Sequence, residues 1–151
     1  MINVFRIVKK KYENTVFSGI GSQNASGRWH TKGKLAVYTS MSASLAALEI
    51  LVHWQPIFNS QVFVLCCATI PKSCVDSKYR SIDLSDPAND QNSTRRLGDQ
   101  WFSYSNALAL EVPSVIIASE FNYVINPMHP DFSKLTIISK KDFSFDQRLI
   151  V

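Results

Sequence analysis

The chain has 151 residues, 46% of them hydrophobic and 19% charged, with a formal net charge of +4. That length suits one domain around a single buried core, and the composition excludes a disordered chain. No apolar run approaches the roughly 20 residues that a membrane helix needs, so no membrane association is expected.

The start, Met1 to Lys11, places an apolar stretch ahead of Lys9-Lys10-Lys11. That is the reverse of a secretory signal, and a cytoplasmic protein is expected. Ile2 to Val8 is short and β-rich and reads as a strand, with Arg6 near its end. Residues 12 to 34 hold four of the five glycines (Gly19, Gly21, Gly27, Gly33) with many Ser, Asn and Thr. This is the composition of a long loop, and long loops inside compact domains often bind something. A buried strand follows and closes at Val37-Tyr38. Ser40 or Ser42 can cap the next helix, which is expected to run from Ala43 to about Trp54 before Pro56 prevents its extension. Its face is apolar almost all round, as in a helix packed on most sides.

Gln61 to Ile70 is nearly unbroken apolar sequence, the pattern of a strand inside a sheet. It contains Cys66 and Cys67, which with Cys74 make three cysteines. An odd number without metal-ligand spacing implies neither a disulfide framework nor a metal site. Pro71 to Asn92 is polar and reads as loop, and Ser93 to Ser105 as a helix. Ala107 to Val112 and Ser114 to Ala118 read as two short strands broken at Pro113. Phe121 to Pro130 reads as a turn-rich segment, and Leu135 to Ser139 as a last strand before a tail around Phe143-Ser144-Phe145. The sum is a single α+β domain over residues 1–151, a mixed β-sheet core with a few helices.

Three residues stand out chemically. Glu49 is a carboxylate in an otherwise apolar helix, where it loses hydration unless paired; such carboxylates are often functional, although a structural pairing with His53 or an arginine is the plainer alternative. Arg28 follows Gly27 and offers a planar fork that matches phosphate oxygens. Tyr38, at a strand end, can serve as a stacking platform for a flat or cationic ring. Taken singly, Arg28 reads as a solvated loop arginine and Tyr38 as a core tyrosine. His53 reads as a helix-end hydrogen-bonder, and Ser114 and Asn126 as turn residues beside prolines. No GxGxxG, P-loop, HExxH or CxxC occurs, and the basic residues are scattered rather than striped as in nucleic-acid binders.

Taken together, the order Gly27-Arg28-Trp29, Val37-Tyr38-Thr39-Ser40 and Ala47-Leu48-Glu49-Ile50-Leu51-Val52-His53 resembles the RES domain, a family named for its Arg, Glu and Ser. The second half agrees through Leu97-Gly98-Asp99-Gln100-Trp101, Val112-Pro113-Ser114 and Glu120-Phe121-Asn122-Tyr123-Val124-Ile125-Asn126-Pro127. One departure is His30, where the family commonly has Asn. The resemblance implies a fold similar to ADP-ribosyltransferase toxins and the toxin role in a type II toxin–antitoxin pair. It further implies cleavage of the nicotinamide–ribose bond of NAD+, by hydrolysis or phosphorolysis, with NAD+ as substrate and no further cofactor. Modification of a target protein by ADP-ribosyl transfer is the alternative, and a non-enzymatic nucleotide- or protein-binding module a distant one. The implied partner is an Xre-like antitoxin covering the active site, with nucleic acid met only through that antitoxin. By matching position, Glu49, Arg28 and Tyr38 form the implied catalytic trio, with His53, Ser114 and Asn126 lining the site.

Overall fold

The computed structural model describes residues 1–150. Strand β1 (Ile2–Lys9) and strand β2 (Val37–Ser40) are joined by a long segment containing short 3₁₀ helices at Lys10–Thr15 and Ile20–Asn24. Helix α1 (Ala43–Leu51), strands β3 (Phe63–Ile70) and β4 (Val75–Asp76), helix α2 (Gln91–Tyr104) and strands β5 (Ala109–Pro113), β6 (Phe121–Ile125) and β7 (Thr136–Phe143) complete the chain. All seven strands form one sheet in the order β4-β5-β6-β2-β1-β3-β7, with only the β4–β5 pair parallel. This is the expected α+β architecture.

Both faces of the sheet are covered. Alternation along the strands puts Val4, Val37, Val64 and Ile125 on one face, where Val16 and Phe17 of the first long segment close over them. On the other face Trp29 and Trp101 pack over β5, β6 and β2. Beside them α1 and Phe145 pack over β1 and β3. A cleft lies between these last two clusters.

The two halves of the sheet are joined by little ladder pairing. β1 pairs with β3 along its whole length, but it meets β2 at the single register pair Phe5↔Ser40. Beyond that pair the two strands part, and the side chain of Arg6 bridges the opening by donating from Nη1 to the Tyr38 carbonyl at 2.7 Å.

Several elements differ from the sequence-based expectation. α1 ends at Leu51 rather than near Trp54, because the N–H groups of His53 and Trp54 turn to the carbonyls three residues back. The Trp54 ring then joins Phe58, Phe63 and Phe145. Ser114 to Ala118 is not a strand: Ser114 Oγ accepts from the N–H groups of both Ile116 and Ile117 and folds the segment into a turn. Pro113 ends β5 instead of breaking it, and β4 does not reach that far, so no ladder partner is lost there. Phe121 to Ile125, expected among turns, is a strand in the middle of the sheet. The loop expected over Pro71 to Asn92 contains β4. β2 continues past Tyr38 to Ser40, and β7 continues past Ser139 to Phe143. Lys140, Lys141 and Asp142 are exposed along that last, outer strand, where charges discourage unwanted pairing. No helix among the described residues is long and apolar enough to cross a membrane.

Candidate active site

A cleft of about 170 Å³ opens where β1 and β2 part, under α1. Glu49, Tyr38, Ser40, Asn122 and the apolar Phe5, Ile7, Ala46 and Ile50 line it. α1 is fixed at its start by Ser42, whose Oγ accepts the Leu45 N–H at 3.1 Å; this is the N-cap expected from the sequence. Glu49 lies two turns further on.

The Glu49 carboxylate is held through one oxygen. Oε1 accepts from Asn122 Nδ2 at 2.8 Å and from Ser114 Oγ at 3.4 Å. Ser114 is buried, and because its oxygen already accepts two backbone N–H groups, its single proton is directed to Glu49. Both donors are neutral. Among the described residues no cation forms an ion pair with Glu49, and its Oε2 takes no hydrogen bond.

Tyr38 works at both ends. It is one of the residues lining the cleft, and its hydroxyl accepts the Trp29 N–H at 3.1 Å and lies 2.8 Å from His30 Nδ1. His30 Nε2 sits 3.0 Å from the carbonyls of both Ser22 and Ala25. Carbonyls only accept, so Nε2 carries the proton and Tyr38 donates to Nδ1. Burial pushes the Tyr38 hydroxyl far above its ordinary range, which fits a structural phenol and not an acid–base group. His30, the departure from the family pattern, thus organises the loop. Gly27 is required beside it, since a Cβ there would lie 2.6 Å from the Tyr38 oxygen.

Arg28 is half-buried on that same loop, and its charge reaches the Tyr38 hydroxyl. It is not among the residues lining the cleft, and its guanidinium makes no hydrogen bond or ion pair among the described residues. His53 is exposed in the turn after α1, with no bond to Glu49. Asn126 lies past the opposite end of β6, where its side chain accepts the Met128 N–H in a turn. It is four residues from Asn122, or roughly 13 Å along an extended strand. The structure therefore gathers Glu49, Tyr38 and Ser114, keeps Arg28 nearby, and sets His53 and Asn126 apart from the cleft.

Two residues absent from the sequence-based site belong to it. Asn122 anchors Glu49. Arg6 lines both the cleft and a second cavity of about 400 Å³ on the other face, bounded by Tyr12, Ser18, Ile20 and Asn24. Its Nε is buried without a partner and no carboxylate pairs with it; burial lowers its pKa to about 10. Arg6 had one legible signal, as the single charge inside an apolar strand. Asn122 had none in its local sequence. No cluster of His, Cys, Asp and Glu among the described residues could hold a metal ion.

The chain is similar to several known proteins. The RES domain family model matches residues 3–146. A protein named Toxin Res from Photorhabdus laumondii is 35% identical over 154 residues, covering 97% of this chain and 96% of the relative. A Prs ADP-ribosylating toxin from a Sphingobium species is 31% identical over 93% of this chain and 91% of its own. Among solved structures, the M. tuberculosis MbcT–MbcA toxin–antitoxin complex contains a chain that matches with a TM-score of 0.75 and 16% identity, over 95% of this chain and 84% of that one. At that identity the likeness concerns the fold.

Proposed function

The chain belongs to the RES domain family, and from that premise we propose that it is the toxin of a toxin–antitoxin pair and cleaves the nicotinamide–ribose bond of NAD+. The observation that carries this reading is Glu49: a carboxylate fixed through one oxygen by Ser114 and Asn122, its other oxygen free, in a cleft that Tyr38 also lines.

Breaking this bond sends its electron pair to the nicotinamide nitrogen, which leaves as a neutral base from a cationic ring. The demand lies on the ribose, which becomes positive as in other oxocarbenium-like transition states. Glu49 stabilises that charge through Oε2 and bonds a ribose hydroxyl, and a fixed charge aimed at a developing opposite one is commonly the largest catalytic contribution. Tyr38 holds the nicotinamide ring by its face. Water or phosphate then adds to the ribosyl carbon, and water gives up a proton as it does so.

A cleft of about 170 Å³ is smaller than the roughly 300 Å³ or more of pockets that enclose a whole ligand. It suits the nicotinamide–ribose end alone. Arg6, which lines the cleft without a carboxylate partner, supplies a cation for the pyrophosphate. Arg28 adds a second cation from the loop side. His53, exposed after α1, would meet the acceptor or the antitoxin rather than the ribose. An antitoxin that covers the cleft fits the occurrence of the structural neighbour in a toxin–antitoxin complex. An Xre-like partner, and DNA contact through it alone, follow from the family resemblance.

Incubating the pure protein with NAD+, with and without phosphate, tests the proposal. Release of nicotinamide supports it, and the companion product, ADP-ribose or its 1″-phosphate, names the acceptor. Intact NAD+ after prolonged incubation rejects it. A second reading, transfer of ADP-ribose to a target protein, is favoured by the relative named for that activity; labelled NAD+ in a lysate would then leave its label on a protein band.

A further inference from the structure

Residues 27–31, which carry Arg28, are tied to α2 at successive points. Arg95 Nε donates to the Gly27 carbonyl at 2.9 Å, and Thr94 Oγ1 to the Arg28 carbonyl at 2.8 Å. One oxygen of Asp99 accepts the Thr31 N–H at 2.9 Å and the other accepts its hydroxyl. Between them, Gly98 lets the backbone of Trp29 come so close that a Cβ there would lie 1.8 Å from the Trp29 oxygen. Positions 94, 95, 98 and 99 share one helical face by their spacing of three and four. From the opposite side the Tyr38 hydroxyl takes the Trp29 N–H.

The backbone around Arg28 is thus fixed from two directions, while its guanidinium is left without a partner among the described residues. A loop held this tightly around an unpaired cation is prepared to receive an anion without ordering itself first. We propose that Thr94, Gly98 and Asp99 are positioning residues, which make α2 a splint that sets where Arg28 meets an anionic group of the substrate. The inference rests on the NAD+ reading above, which makes the pyrophosphate that group.

The test is a cycle on kinetics and binding. Thr94→Val removes the bond to the Arg28 carbonyl at nearly constant volume, and Thr94→Ser keeps it. Thr94→Val should raise the KM for NAD+ about tenfold, the size expected from one hydrogen bond, and leave kcat within about twofold. Thr94→Ser should restore KM. In an Arg28→Ala background Thr94→Val should add nothing further, because coupled residues are not additive. Asp99→Asn, altering a half-buried site at the helix edge, should give the same pattern more weakly if Thr94→Val folds poorly. An equal rise in KM with and without Arg28, or no rise at all, overturns the inference and leaves α2 as ordinary packing. If the wild type leaves NAD+ intact, the function proposed above fails; the same cycle read from the Kd for ADP-ribose then decides the positioning question by itself.

Discussion

Glu49 and Arg28 are held in opposite ways. Glu49 is fixed through its own carboxylate, where Asn122 of β6 and Ser114 just beyond β5 converge on one oxygen and leave the other free. Arg28 is fixed through its main chain, and its functional atoms are free. Charge stabilisation at a reacting carbon demands placement to a fraction of an ångström, whereas capture of a flexible pyrophosphate tolerates a mobile guanidinium on a rigid base. The two supports match the two tasks.

Variants can break this contrast. The largest effect is expected from Glu49→Gln, which keeps both neighbours' geometry but removes the charge: kcat should fall about 100-fold, or about 2.7 kcal/mol, with KM little changed. Steady-state NAD+ turnover measures it, and undiminished turnover would remove Glu49 from the chemistry. Next come the cations. Arg6→Met and Arg28→Ala should each raise KM about tenfold with smaller changes in kcat, the pattern of lost ground-state binding. Arg6→Met should also change the stability of the fold little, since it removes a half-buried charge without a carboxylate partner together with one bond to the Tyr38 carbonyl; a thermal melt showing strong destabilisation would make Arg6 a structural bridge first.

Tyr38→Phe sharpens the comparison from the loop side. It keeps the ring but strands the Trp29 N–H and His30 Nδ1, at a cost of about 1–3 kcal/mol in chemical unfolding. Burial raises the Tyr38 pKa in the folded state above its ordinary value of 10.0. The unfolded chain therefore loses this proton first, and wild-type stability should decline as pH rises past 10. Tyr38→Phe should show a shallower decline, with Arg6 and Tyr123 contributing equally to both proteins; parallel curves would contradict the buried hydroxyl. The smallest effect belongs to Asn126→Ala, which removes a turn bond outside the cleft. Stability should fall by about 0.5–1 kcal/mol, with kcat/KM changed by no more than about twofold. A tenfold loss would bring Asn126 back to the substrate.

Local pattern revealed β1, β3, α2 and α1, the last drawn about one turn too long, because apolar periodicity and capping are local signals. It also exposed Glu49, since a carboxylate in an apolar helix is conspicuous in one dimension. β6 was hidden because Asn122 sits inside it and Asn126-Pro127 follows it, residues that favour turns when no sheet surrounds them. The roles of Asn122 and Arg6 depend on how β2 lies between β6 and β1, which no short window encodes. Ser114 was visible only through the family resemblance. Its hydroxyl direction is decided by the turn at Ile116 and Ile117, which read instead as a strand.

The single register pair between β1 and β2 has a mechanical consequence. A sheet stitched along every other ladder but nearly unstitched at one line will flex there first, so amide exchange should be fastest for the β1 groups that face β2. Whatever occupies that line spans both flanks and clamps them shut. Thermal stability should therefore rise with the logarithm of its concentration above Kd, offering a way to recognise a true occupant among candidates without following any reaction.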